Sequence, residues 1–257
     1  MTTPTMRQAK IVELARTAGE VTVEQLVDAF GVTPQTIRKD LNALCDRGAL
    51  KRTHGGAMHP SGVENLEYEA RRQMATQQKH AIGAAAAELI PDNASLFINI
   101  GTTTEAVSQA LTSHRGLMVI TNNINVANHL RVVPGTEVVI AGGVVRPSDG
   151  GIVGEAAVDF IRQFKVDFAV IGVSAIDEDG ALLDFDYREV KVAQAIIANA
   201  RHVILVSDSS KFERTAPVRV GHLSQANSFI TDFCPLDSIR ALCADAGIRL
   251  IETGSPT

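Results

Sequence analysis

The chain has 257 residues, a net charge of −5, 45% hydrophobic residues, few aromatics and no Trp, which describes one large aliphatic-cored domain or a small one beside a medium one. No apolar run is long enough for a bilayer-spanning helix, and the N-terminus has no h-region, so a cytoplasmic protein without a membrane partner is expected. Three cysteines, Cys45, Cys234 and Cys243, form no CxxC pair, which suits a reducing compartment and argues against a disulfide framework. Cys45, His54 and His59 lack zinc-type spacing, so no metal site and no cofactor are expected. Charge is uneven: residues 1–60 sum to +2 and the remainder to −7, as for a nucleic-acid reader joined to an acidic body.

Residues 5–18 read as a helix with Ile11, Leu14, Ala15 and Ala18 at helical spacing, stopped by Gly19. Val21-Thr22-Val23 is short and β-prone. Thr22 and Gln25 are spaced as a capping box for a helix over 24–30. After the Gly31-Val32 turn, Thr33 is placed to cap a second helix, with Pro34 at its first position. Ile37, Leu41 and Leu44 fall on one face of that helix. Gln35, Arg38, Lys39 and Asn42 gather within roughly 100° on the other. Amides and cations on one face suit base edges and phosphates in a major groove. Taken alone, the same pattern also describes a solvated amphipathic helix. Helix, turn, helix followed by an Ala49–Met58 hairpin gives a winged helix-turn-helix over residues 1–58. Double-stranded DNA contacts are assigned to Thr33, Gln35, Thr36, Arg38, Lys39 and Asn42 on the helix. On the wing they are assigned to Lys51, Arg52, His54 and Gly55. A plain basic hairpin is the alternative for the wing.

Residues 59–78 read as a linker, with a His59-Pro60-Ser61-Gly62 break and then a charge-rich stretch. From Lys79 to the end, helix and strand patterns alternate. An Ala-rich helix (81–90) is followed by strands at 95–100, 117–121, 137–141, 167–173, 202–206, 229–231 and 248–251. Strands this apolar predict a mostly parallel sheet covered on both faces, an α/β domain.

In open α/β sheets ligands bind at the carboxyl ends of the strands. There the sequence places Gly101, Thr102, Thr103 and Thr104 at a helix start, a natural phosphate seat. Asn122, Asn123, Gly142 and Gly143 follow two further strands. Arg146 is expected to neutralise phosphate, Asp184 to bind a hydroxyl and Lys211 to follow another strand end. Each Gly-Thr or Gly-Gly turn alone reads equally as a strand-to-helix connection. Gly101 begins no GxGxxG and no P-loop is present.

The head pattern Val-x-x-Gln-Thr-Ile-Arg-Lys-Asp-Leu, followed by Leu-x-Arg-x-His-Gly-Gly-Ala, resembles the DNA-binding head of the DeoR family of bacterial repressors. The family usually has a second Arg at the position of Lys39, and Lys lacks the bidentate fork, so a phosphate contact suits Lys39 better than a base contact. Ile98-Asn99-Ile100-Gly101-Thr102-Thr103, Thr121-Asn122-Asn123, Asp149-Gly150-Gly151, Leu183-x-Phe185-Asp186-Tyr187 and Asp208-x-Ser210-Lys211-Phe212 carry the resemblance through the body. It implies an α/β sensor domain resembling ribose-5-phosphate isomerase, a small phosphorylated effector, and a homodimer or homotetramer on DNA. Within the family, sn-glycerol 3-phosphate is the effector expected. Two alternatives stay open. One is a repressor answering another phosphorylated sugar. The other is a sugar-phosphate isomerase using Asp184, Asp186 or Glu189 as base.

Overall fold

The chain divides into two units, Met1–Leu66 and Glu67–Thr257. The computed structural model describes residues 4–58 and 68–254.

The first unit contains α1 (Pro4–Ala18), β1 (Glu20–Thr22), α2 (Val23–Phe30), α3 (Pro34–Asp46), β2 (Lys51–Thr53) and β3 (Gly56–Met58). Local chemistry sets the helix boundaries. Thr22 and Gln25 form the reciprocal capping box, the Gln25 N–H donating to Thr22 Oγ1 at 3.2 Å and the Thr22 N–H to Gln25 Oε1 at 3.0 Å. Gly31, left-handed at φ 62°, ends α2. Thr33 Oγ1 accepts the Thr36 N–H at 3.3 Å and starts α3. Ile11, Leu26, Ile37, Leu41, Leu44 and Leu50 form the core.

Two features differ from expectation. Leu14 and Ala18 are exposed, and the buried stripe of α1 runs instead through Arg7, Ile11 and Ala15. The cause is Asp40 on the inner face of α3, which draws Arg7 inward. The wing hairpin is also not alone: β1 pairs with β3, giving the order β1-β3-β2. This close approach requires Gly56, where a Cβ would lie 2.1 Å from the Val21 carbonyl oxygen.

The second unit begins with α4 (Tyr68–Gln73) and α5 (Thr76–Ala87). It continues with β4 (Ser95–Ile98), α6 (Thr102–Ala110), β5 (Met118–Thr121), α7 (Ile124–Leu130) and β6 (Glu137–Ile140). Next come β7 (Val144–Val145), β8 (Ile152–Val153), α8 (Glu155–Ile161), β9 (Val166–Ile171), β10 (Ala175–Ile176), β11 (Ala181–Asp184) and α9 (Tyr187–Ala198). It ends with β12 (Ala200–Val206), β13 (Val218–His222), β14 (Ser228–Thr231), α10 (Asp237–Asp245) and β15 (Arg249–Glu252). Seven strands form a parallel sheet in the order β15-β14-β12-β9-β4-β5-β6. Apolar residues of α5, α6 and α7 cover one face and those of α8, α9 and α10 the other. The chain runs outward from β4 to β6, then returns to the far side of β4 at β9. The topological switch, where α/β sheets open a crevice, therefore lies between the ends of β4 and β9.

The antiparallel β10-β11-β13 sheet and the β7-β8 pair were not expected from sequence, because two-to-five-residue strands between turns carry no readable period. The linker expectation also needs correction. Residues 59–67 lie outside the described residues, but Tyr68–Gln73 and Thr76–Ala87 are helical, so the α/β unit starts well before Lys79. Among the described charges of this stretch, Glu69 and Arg72 are exposed, whereas Arg71 reaches Asp149 in the site described next.

Candidate functional site

On α3, Ile37, Leu41 and Leu44 face the core, while Gln35, Arg38, Lys39 and Asn42 are exposed. Among the described residues the side chains of these four make no hydrogen bond or ion pair. Thr33 and Thr36 differ: their hydroxyls bond to each other at 2.9 Å, so both are committed to the cap. On the wing, Lys51, Arg52, His54 and Gly55 are exposed, and Gly55 takes φ 91° in the turn. A groove lined by Thr22, Val23, Asp28, Pro34, Arg38, Arg52 and Gly55 brings the helix and wing arginines to one surface. A second hollow is lined by Gln35, Arg38, Lys39 and Asn42.

Behind this face is a contact that sequence reasoning missed. Asp40 is buried, and its carboxylate accepts from Arg7 Nε at 2.5 Å and Gln8 Nε2 at 2.9 Å. Arg47 Nη2 donates to Gln8 Oε1 at 3.0 Å. These bonds tie α1 to the back of α3 and fix the tilt at which the outer face is presented. An acidic residue at the i+3 position from a core Ile was the available signal.

The second site lies at the strand ends. Gly101, at φ 146°, turns β4 into α6, and Thr104 closes the turn by donating to the carbonyls of Asn99 and Gly101, both at 2.7 Å. No side chain caps α6, so the backbone N–H groups around Thr102 and Thr103 are open to an anion. Asn122 donates to the Ile152 carbonyl at 3.1 Å, leaving its Oδ1 buried without a partner. Asn99 Oδ1 is likewise buried and unpartnered. Two acceptors without donors at neighbouring strand ends suit hydroxyl groups.

Glu105 is a hub that the sequence did not single out. Its carboxylate accepts from Tyr68 Oη at 2.7 Å and from Asn123 and Asn125 Nδ2, both at 3.0 Å. Asn123 is also the cap of α7. Burial and the Glu105 bond push the Tyr68 phenol above its ordinary range. Through Tyr68, α4 is fastened to α6 and α7.

Arg146 does not stand ready for a phosphate. It binds Asp149 in bidentate fashion (Nε–Oδ1 2.9 Å, Nη2–Oδ2 2.7 Å) and also reaches Glu189 at 2.5 Å and Asp186 at 3.2 Å. Burial opposes its charge, but the bonds to Asp149 and the charge of Glu189 hold the guanidinium above its usual value. Three carboxylates occupy it, and Arg71 lies 3.5 Å from Asp149 as well. Gly142 and Gly143 lie exposed beyond β6, where a Cβ at Gly143 would press on Ile152. Asp184 is buried and accepts its neighbour Phe185's N–H at 2.7 Å. Burial raises its pKa, and burial with the Asp184 charge pushes Glu189 up to about 8.

Cations collect on the other side of the switch. Lys211 is buried, and burial with the charge of Arg214 pulls its pKa well down, while Asp208 opposes this. Lys79 is buried and donates to the carbonyls of Arg71 and Met74, the latter at 2.7 Å. Burial lowers its pKa to about 8, with Asp208 again opposing. Arg71 and Lys79 also act on Lys211. Lys211, Lys79 and Arg214 thus act on Asp208, and Arg71 acts on Lys211 beside them. Of these, only Lys211 was expected; Arg71 and Lys79 lay in or beside the supposed linker. Among the described residues no cluster is arranged to hold a metal, and no helix is long and apolar enough to cross a membrane.

Comparisons with known proteins accord with this division. The DeoR-like helix-turn-helix domain matches residues 7–62, and the DeoR C terminal sensor domain matches residues 74–233. The chain is 47% identical to a glycerol-3-phosphate regulon repressor of Escherichia coli (strain K12), covering 96% of this chain and 98% of that one. It is 50% identical to one of Haemophilus influenzae, covering 90% of each. Among solved structures, ribose 5-phosphate isomerase from Plasmodium falciparum is 14% identical with a TM-score of 0.39, covering 53% of this chain and 52% of that one. The relatives that span the chain are repressors rather than enzymes, which sets the isomerase reading aside. Head, sensor domain and full-length relatives agree, and the chain belongs to the DeoR family of DNA-binding transcriptional repressors.

Proposed function

We propose that this repressor holds operators of glycerol or glycerol 3-phosphate metabolism genes and is released from them by sn-glycerol 3-phosphate. The observation that carries the effector half is the pair of buried lysines, Lys79 and Lys211, gathered with the buried Asp208 at the strand ends. Two buried ammonium groups beside a single carboxylate favour an incoming anion. The ester phosphate is assigned to Lys211, Lys79 and the Gly101–Thr104 helix start. The two glycerol hydroxyls are assigned to the unpartnered oxygens of Asn99 and Asn122. Arg146 takes a positioning role, holding Asp149, Asp186 and Glu189 in place. The names of the nearly full-length relatives support glycerol 3-phosphate over other esters.

Operator contact is assigned to Gln35, Arg38, Lys39 and Asn42, with Lys51, Arg52, His54 and Gly55 from the wing. Thr33 and Thr36 are spent on the cap. The release step follows from differential affinity: the ligand must prefer an arrangement with weaker DNA binding. Lys79 and Tyr68 point to α4 as the responding element. An anion that draws Lys79 competes with its bonds to the Arg71 and Met74 carbonyls, and those bonds hold the end of α4.

Fluorescence anisotropy on the chain's own upstream DNA and on a glycerol-operon promoter, at fixed salt, tests both halves. Tight binding relieved by sn-glycerol 3-phosphate and not by inorganic phosphate is expected. Tight binding indifferent to this ester refutes the effector assignment, and the absence of specific binding to either DNA refutes the operator assignment.

A further inference from the structure

Strand β6 ends the parallel sheet on one side and β15 ends it on the other. An open edge offers unpaired backbone groups, and proteins guard such edges with charge or cover. The β15 edge is guarded. It reads Arg249-Leu250-Ile251-Glu252, and Glu252 is held by Arg240. The β6 edge reads Glu137-Val138-Val139-Ile140 and runs on through Ala141-Gly142-Gly143 to Val144 and Val145. It has no Lys, no Arg and no Pro. Of the eight large hydrophobic residues exposed among the described residues, four fall between 132 and 145: Val132, Ile140, Val144 and Val145. Val144 is 66% exposed and Ile140 44%.

The direction of the free backbone groups is fixed by the inner pairing. The N–H groups of Glu137 and Ala141 donate to the carbonyls of Leu117 and Thr121, both at 2.8 Å. Residues 137, 139 and 141 therefore face β5, and the N–H and C=O groups of Val138 and Ile140 face outward. Among the described residues nothing pairs with those four groups. Two outward residues separated by one inward residue make a self-complementary set. If a second β6 runs antiparallel about an axis through Val139, Val138 meets Ile140 of the other copy and the reverse, completing four backbone hydrogen bonds. In that register the opposed side chains are apolar, and Glu137 faces Ala141 rather than another Glu137.

We propose that the outer edge of β6 is a seam between two copies of this chain, paired antiparallel about Val139. The contact is isologous, so it closes a dimer rather than an open chain. It brings two reading heads into one assembly, as half-site recognition requires. The choice of a second copy as occupant rests on the repressor reading, but the test uses neither DNA nor effector, so it fails or succeeds separately.

Sedimentation equilibrium of the full chain is compared with the double variant Ile140→Lys/Val144→Lys. The wild type is expected as a dimer or larger, and the double variant at half that mass with an unchanged thermal unfolding curve. A wild type that sediments as a monomer overturns the proposal. So does a folded double variant that keeps the wild-type mass. Should the double variant fail to fold, Val139→Cys in a Cys45→Ser background decides. Opposed residues of a non-hydrogen-bonded pair sit about 4.5 Å apart at Cα, within disulfide range. Mild oxidation then yields a covalent dimer on a non-reducing gel. Absence of that dimer overturns the proposal.

Discussion

The outer face of α3 and the strand-end cluster are both polar, yet they are built in opposite ways. Gln35, Arg38, Lys39 and Asn42 are exposed and unengaged, whereas Glu105, Asn123, Asp149 and Lys79 are buried and bonded before any ligand arrives. The difference accords with the roles proposed for the two surfaces. A face that reads a large external polymer keeps its donors free and lets the core behind it set their geometry. A pre-bonded cluster cannot take a ligand without giving up existing contacts, so occupancy is coupled to rearrangement. The bonds at risk include those that hold α4.

Variants that strike one region and spare the other test this contrast. The largest effect is expected from Arg7→Ala, which leaves Asp40 buried with only Gln8 as partner. Breaking such a pair costs about 3 kcal/mol of head stability. Thermal unfolding by circular dichroism should show an early transition for the head and no change in ester binding by the effector unit. Equal loss in both units would mean that they unfold as one.

Lys211→Met comes next. Losing a charged hydrogen-bond donor from a buried site costs about 2.5 kcal/mol, or roughly 70-fold in ester affinity. Calorimetry should show that loss while operator affinity stays at the wild-type value. Undiminished ester binding would remove Lys211 from the site. Arg38→Ala is its mirror image. Losing one groove contact costs about 1.5 kcal/mol, roughly tenfold in operator affinity at matched salt, with ester binding intact. If operator affinity falls equally for all sequences, Arg38 contacts phosphate rather than a base.

The two regions also differed in how legible they were. The head was readable because its signals are local: Thr22 with Gln25, Thr33 with Pro34, and apolar residues three and four apart all act within one helical turn. The parallel sheet was readable because β-rich apolar runs alternate with helical ones. What could not be read depends on contacts between distant positions. Asp40 meets Arg7 across 33 residues, and Tyr68 meets Glu105 across 37. Arg146 illustrates the reverse error. Its position after a Gly-Gly turn suggested a free cation, but Glu189, 43 residues on, helps to occupy it. A charge-rich stretch such as 69–79 looks the same in sequence whether its charges meet water or buried carboxylates. Only the fold distinguishes them.

The smallest expected effect concerns how each region responds to solution conditions. On the proposed contacts, the exposed cations of α3 and the wing release counterions on binding DNA, so operator affinity should fall steeply with salt. The buried cluster is screened much less, and its signature is pH. In the free protein burial holds the pKa of Lys79 at about 8, below that of an ordinary lysine. A bound phosphate favours the charged ammonium and raises that pKa again. The complex then holds more protons than the free protein once pH exceeds about 7, so ester affinity should decline as pH rises from 7 to 9. The ester itself adds little over this range, because its second pKa is near 6 and it is already a dianion. Calorimetry in two buffers of different ionisation enthalpy should show net proton uptake that grows between pH 7 and pH 9. Proton uptake of zero throughout would mean that the phosphate sits away from Lys79 and Lys211. The helix start at Gly101–Thr104 would then hold the anion by itself, and α4 would have no direct part in sensing it.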